Sequence, residues 1–264
     1  MKNLLIILCL LSFGQIVRAQ GKIVPIVETK LGGLLGGVEN GKFIDAKMTF
    51  AALKDKHEYH LYDLATAKYS VFTTQIEKPE APCENFYWTK NESELVGIAI
   101  GKEAAWNPLP RQVESIDLNN MTYKNVVAGV LKTNGIITKN TKITQAFRVD
   151  LEGDGREEVL LTATSYVKNI TSHAEKGDYS LIVLRKLVGK TVKNIILTGE
   201  FVTKRITFGA PGKYELSAIA DLNGDGRMEI VVYGKYYEGD WVETYETTNN
   251  VPVKVKKLDA GCGV

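Results

Sequence analysis

Residues 221–234 read DLNGDGRMEIVVYG, and residues 150–163 read DLEGDGREEVLLTA. In each stretch an acidic or amide side chain stands at alternate positions. Two glycines follow, and a run of apolar, largely β-branched residues closes the string. Such a string makes either a tight acidic turn or a loop that curls around a metal ion. Both readings place a turn in front of a strand, so the fold class follows: β-rich, with one loop–strand unit used twice.

The match extends beyond the motif. FRVDLEGDGREEVLLTAT (147–164) aligns with AIADLNGDGRMEIVVYGK (218–235), from the apolar lead-in to the apolar tail. Short strand-like runs follow each copy: YSLIVLR (179–185) and VKNIIL (192–197) after the first, WVETYE (241–246) and VPVKVKK (251–257) after the second. Further strands are expected at EYHLYDL (58–64), KYSVFTT (68–74), ELVGIAIG (94–101) and YKNVVAGVL (123–131), all rich in β-branched and aromatic residues. The glycines of LGGLLGGVENG (31–41) argue for a loop or irregular strand rather than a helix. No segment reads as a helix. The expected fold is all-β, a β-propeller-like or stacked antiparallel arrangement of about four units, with the last two clearest. The proline-bearing stretches EKPEAPC (77–83) and WNPLPR (106–111) are expected loops. The second divides an N-terminal β region (20–110) from a repeat region (111–264).

The spacing of the acids carries the chemistry. Calcium takes about six to eight hard oxygen ligands, and alternate residues of a tight loop turn toward one centre. In the second copy the candidate ligands are Asp221, Asn223, Asp225, the carbonyl of Arg227 and Glu229. In the first they are Asp150, Glu152, Asp154, the carbonyl of Arg156 and Glu158. Converging carboxylates repel one another without a cation. The competing reading is a pair of ordinary Asn-Gly and Asp-Gly turns, with Arg156 and Arg227 neutralising the acids. An EF-hand is excluded: its twelfth position needs a bidentate Glu followed by a helix, and here Leu161 and Val232 stand in apolar strands.

On VDLEGDGREEVLL and ADLNGDGRMEIVV, the chain resembles the FG-GAP/VCBS repeat family, whose calcium-bearing blades also build integrin α-subunit propellers. The resemblance covers residues 145–264 and implies blade loops that bind calcium structurally. Two positions depart from the family pattern: Glu158 and Glu229 stand where Asp is usual, and Glu152 is longer than the usual Asp or Asn. FGAPG (208–212) echoes a family signature.

MKNLLIILCLLSFGQIVRAQ (1–20) reads as a signal peptide, with a short basic start, an apolar stretch too short to span a bilayer, and cleavage after Ala19. The mature chain is then expected to be secreted or periplasmic. Loss of Lys2 and Arg18 takes the formal charge of +2 down by two, to zero. A neutral chain of mixed sign gives no electrostatic footprint for nucleic acid. Cys83 and Cys262 remain, an even pair that in an exported chain reads as a disulfide rather than two free thiols.

Other features carry less. His57 and His60 in HEYH point to opposite faces of a strand, which does not suit zinc. Tyr236, Tyr237, Trp241 and Tyr245 cluster in YYEGDWVETY, either as a ligand platform or as core. Asn91, Asn120 and Asn169 stand in glycosylation sequons. No nucleophile elbow, phosphate loop or dinucleotide fingerprint occurs. The leading expectation is a calcium-binding module that engages a protein or carbohydrate outside the cell. The alternative is an extracellular polymer hydrolase or lyase with structural calcium.

Overall fold

A computed structural model describes residues 22–53, 55–64, 69–90, 96–166, 170–248 and 251–263. The expected signal peptide, the connection at 65–67 and the sequons at Asn91 and Asn169 lie outside the described residues. The chain is all-β in architecture, built as three antiparallel sheets. Sheet 1 contains β1 (Val24–Glu28), β2 (Gly33–Glu39), β3 (Lys42–Asp45), β4 (His57–Tyr62), β5 (Tyr69–Thr74) and β6 (Ile98–Gly101), in the order β3-β2-β1-β6-β4-β5. Sheet 2 contains β7 (Glu114–Ser115), β8 (Ile143–Val149), β9 (Glu158–Thr164), β10 (Tyr179–Val188) and β11 (Thr191–Phe201), in the order β11-β10-β9-β8-β7. Sheet 3 runs β12 (Lys213–Ala220), β13 (Glu229–Tyr236), β14 (Gly239–Thr248) and β15 (Val251–Lys254), and β16 (Ala260–Gly263) pairs with β14.

The sheets stack face to face, with sheet 3 in the middle. One of its faces joins Ala218, Val231, Tyr233 and Val242 to Ile26, Leu35, Ile98 and Ile100 of sheet 1. The other joins Leu216, Ile219, Ile230, Val232 and Tyr245 to Phe147, Leu160, Ile182 and Leu184 of sheet 2. Each aliphatic side chain so buried contributes about 1.5–3 kcal/mol relative to exposure. Helix α1 (Ala46–Ala52) covers the outer face of sheet 1 with Ala46 and Phe50. Helix α2 (Met121–Thr133) covers the outer face of sheet 2 with Tyr123, Val126, Val127, Val130 and Leu131. EVLLTAT is therefore buried at every position, as a central strand covered on both sides must be, whereas the edge strand β11 is largely open to solvent.

Two expectations need correction. The described residues form three sheets rather than about four units, and the stack is open rather than closed into a ring. YKNVVAGVL is helix, not strand: its apolar residues recur at helical spacing, and the Asn120 side chain caps the first turn by accepting from the Thr122 N–H at 3.0 Å. LGGLLGGVENG carries the irregular strand expected of it: β2 pairs with β1 through a register shift at Ile26 and Val27, and Phe86 and Thr49 pack onto Gly33 and Gly37 where side chains would collide. The stretch 106–111 is a loop, as expected.

The C-terminal segment 255–262 returns to sheet 1. Leu258 and Val255 enter the cluster beneath sheet 1, and Lys257 Nζ donates to the Phe43 carbonyl at 3.0 Å. Cys83 and Cys262 lie at disulfide distance, with Cα atoms 5.4 Å apart. Among the described residues no helix is long and apolar enough to cross a membrane.

Candidate metal centre

Each acidic loop joins a lead-in strand to the next strand of its sheet: β8 to β9 in sheet 2, β12 to β13 in sheet 3. The loops are built alike. Asp221 accepts from the N–H groups of Gly224 at 2.6 Å and Gly226 at 2.9 Å, and Asp225 accepts from Arg227 N–H at 2.8 Å. Asp150 accepts from Gly153 at 2.7 Å and Gly155 at 2.9 Å, and Asp154 from Arg156 at 2.9 Å. These nested side-chain turns need left-handed backbone at Gly224 and Gly226, with φ of 79° and 84°, which glycine supplies without a Cβ clash. The glutamates anchor the far side: Glu229 accepts from Leu222 N–H at 2.7 Å, Glu158 from Leu151 N–H at 3.0 Å.

The electrostatics of the second loop are dominated by burial. Asp221, Asn223 and Glu229 are all buried. Burial, with Asp225, Asp221 and Glu246 adding negative charge nearby, pushes the Glu229 carboxyl up to about 8. Burial also raises the Asp221 carboxyl, against its two capping N–H groups. In the first loop burial pushes Glu158 up to about 7, opposed by Lys186 and assisted by Glu152 and Asp154. Arg227 Nη1 donates to the Thr247 carbonyl at 2.9 Å, and Arg156 is exposed.

The donor set of the second loop fits a hard divalent cation by its chemistry: carboxylate and amide oxygens on one tight turn, in surroundings that disfavour bare negative charge. An oxygen that caps an N–H keeps a second lone pair for an ion. Among the described residues no group of three or more His, Cys, Asp or Glu side chains stands in metal-holding geometry. Asp221, Asn223, Asp225, Glu229 and the Arg227 carbonyl are the groups that would hold calcium, which would supply positive charge and no bond chemistry.

The 106–111 loop locks both motifs, a role that sequence reasoning did not assign. Trp106 Nε1 donates to the Asp221 carbonyl at 2.9 Å, and its ring lies against Gly224. The Asp221 N–H donates to the Pro108 carbonyl at 2.8 Å. Arg111 donates to the Asp150 carbonyl, to that of Leu151 at 3.1 Å, and to that of Gly226 at 2.7 Å. The Met228 N–H reaches the Leu151 carbonyl at 2.9 Å, so the loops also touch directly.

The aromatic group divides. Tyr236 lies 6.0 Å from Tyr237 and 6.1 Å from Trp241, centroid to centroid. The Trp241 ring lies over Gly234 and the Tyr236 ring over Gly263, so both rings pack on backbone. Tyr245 is buried in the core between sheets 2 and 3, apart from the other three. His57 pairs with Glu103 at 2.8 Å.

A separate cavity of about 230 Å³ opens where the sheets meet, lined in part by Lys30, Asp63, Gln145, Glu215, Ser217 and Tyr233. Its polar groups are engaged with one another. Lys30 pairs with Glu215, which also meets Lys213 at 3.3 Å, and Gln145 brackets the backbone of Leu216. Ser217 donates to the buried Glu28, which also accepts from Leu31 N–H at 2.5 Å. No family model, curated protein or solved structure matches this chain.

Proposed function

We propose that this chain is a calcium-stabilised stack of β-repeats, of the FG-GAP/VCBS type, that acts outside the cell as a binding module for a protein or a glycan. The observation that carries the reading is the second loop. It strings Asp221, Asn223 and Asp225 along one turn with Glu229 at the head of β13, and burial raises the Glu229 carboxyl to about 8. A divalent cation relieves that cost and fixes the loop between sheets 2 and 3, which is a structural rather than a catalytic task. A module for a partner outside the cell also suits the cysteine pair and the near-neutral mature charge.

The polymer-degrading alternative would place its chemistry in the cavity at Lys30 and Glu215. There Glu215 is ion-paired with Lys30 and Lys213, and Ser217 donates to the buried Glu28, so neither group is free for catalysis in that cavity. The binding reading is therefore preferred. Thermal melts of the mature chain test it: calcium at about a hundredfold over its dissociation constant stabilises by about 2.7 kcal/mol, and EDTA reverses the gain. Identical melts in calcium and in EDTA exclude it.

A further inference from the structure

The strand register sets opposite charges against two loops that are otherwise alike. In sheet 2, Val159 pairs with Arg185, so the next two positions, Glu158 and Lys186, face each other. In sheet 3, Ile230 pairs with Tyr245, so the next two positions are Glu229 and Glu246. Val159 and Ile230 hold the same place in the two motifs, which makes Lys186 and Glu246 counterparts. One loop meets an ammonium where the other meets a further carboxylate.

The ammonium is seated in its loop. The Lys186 side chain is wholly shielded from solvent, with Nζ 2.6 Å from Glu152 Oε1 and 3.9 Å from Glu158 Oε1. A lysine is withdrawn from water this far only where carboxylates offset its lost hydration. Glu152 is also the side chain that departs from the short Asp or Asn expected at its position, and its extra reach meets the amine. A long carboxylate with a tethered cation takes the place of a short carboxylate with a free one.

We propose that Lys186 is the resident cation of the first loop. Its ammonium does permanently what a metal ion does in the second loop, so the chain takes up one calcium ion rather than two, with Glu246 facing that ion. The statement about the first loop stands by itself; the statement about the second rests on the calcium reading above. The two near-identical motifs then do different work. One holds its sheet in any ionic medium, and the other makes the stack responsive to calcium.

Calorimetric titration of calcium chloride into the EDTA-stripped mature chain tests this. Wild type is expected to bind one ion, Lys186→Glu two, and Glu246→Lys none, with its melt indifferent to calcium. Lys186→Met is expected to melt about 10 °C lower in EDTA, as for a broken buried ion pair, and to recover in calcium as the freed carboxylates take up an ion. Lys186→Arg keeps a fixed charge and is expected to behave as wild type. Two ions bound by wild type, or a Lys186→Met melt unchanged in EDTA, overturns the proposal. If wild type binds no calcium, the calcium reading falls, and the EDTA melt of Lys186→Met alone decides the role of the lysine. If Lys186→Met does not fold, a folded Lys186→Arg supports the need for charge, and a misfolded one overturns it.

Discussion

Arg111 donates a hydrogen bond to the carbonyl of Gly226 at 2.7 Å while the same guanidinium holds the Asp150 and Leu151 carbonyls of the other loop. One side chain from the linker thus ties two loops that belong to different sheets. Charge-assisted bonds of this kind contribute about 1.5–3 kcal/mol each, and they share one donor group, so they do not add fully. Arg111→Ala is expected to lower stability by about 2–4 kcal/mol in urea denaturation. It should also weaken calcium uptake, since Gly226 is part of the loop. Arg111→Lys should recover little, because a point charge cannot bridge three carbonyls.

The loops should respond unequally to loss of an acid. Asp225 belongs to the loop with no lysine, and Asp150 to the loop that holds Lys186. Asp225→Ala is expected to weaken calcium binding at least about tenfold, as loss of a charged ligand does. Asp150→Ala should leave the affinity close to wild type while lowering the melting temperature through its lost turn contacts. Calorimetry that finds the reverse order contradicts this ranking.

Glu28 sets an expected pH dependence away from both loops. It is fully buried on β1, and burial raises its carboxyl against the bonds from Ser217 and Leu31 N–H and the nearby Lys30 charge. A raised carboxyl stabilises most below its unfolded value, where both states are neutral. As pH climbs, the unfolded chain ionises freely while the buried group resists, so stability falls. In saturating calcium, the urea midpoint of wild type should drop as pH rises above about 4.5, the ordinary value of the carboxyl. Glu28→Gln should flatten that slope, and an equal slope in the variant assigns the effect elsewhere.

The cysteine pair closes a loop with a sequence separation of 179. In the chain-entropy account a link of that span contributes about 3–5 kcal/mol, with measured values often lower. Reduction, or Cys83→Ser with Cys262→Ser, should lower the melting temperature by several degrees, and non-reducing peptide mass spectrometry should recover the linked pair. Free thiols at both positions rule the link out.

Much of sheets 2 and 3 was legible in the sequence because central strands covered on both faces leave unbroken apolar runs such as EVLLTAT and EIVVYG. Helix α2 was not read, since Val126, Val127 and Val130 favour strand by propensity. Their spacing, with the Asn120 cap, carried the better signal. The hold of Trp106 and Arg111 on the loops left no local pattern, because it joins residues 115 apart. The opposition of Lys186 and Glu246 was hidden by length. The acidic motifs are 71 residues apart but these two side chains only 60, since a longer segment joins β9 to β10 than joins β13 to β14. Pairing register recovers what linear alignment loses.

Helices α1 and α2 lie on the two outermost sheet faces. Stacked β units invite extension, because each exposed apolar face is a template for another layer or another molecule. Here both templates are covered by the chain itself. The helices act as bookends: among the described residues they bury apolar side chains on the two outer sheets that a further layer would otherwise cover.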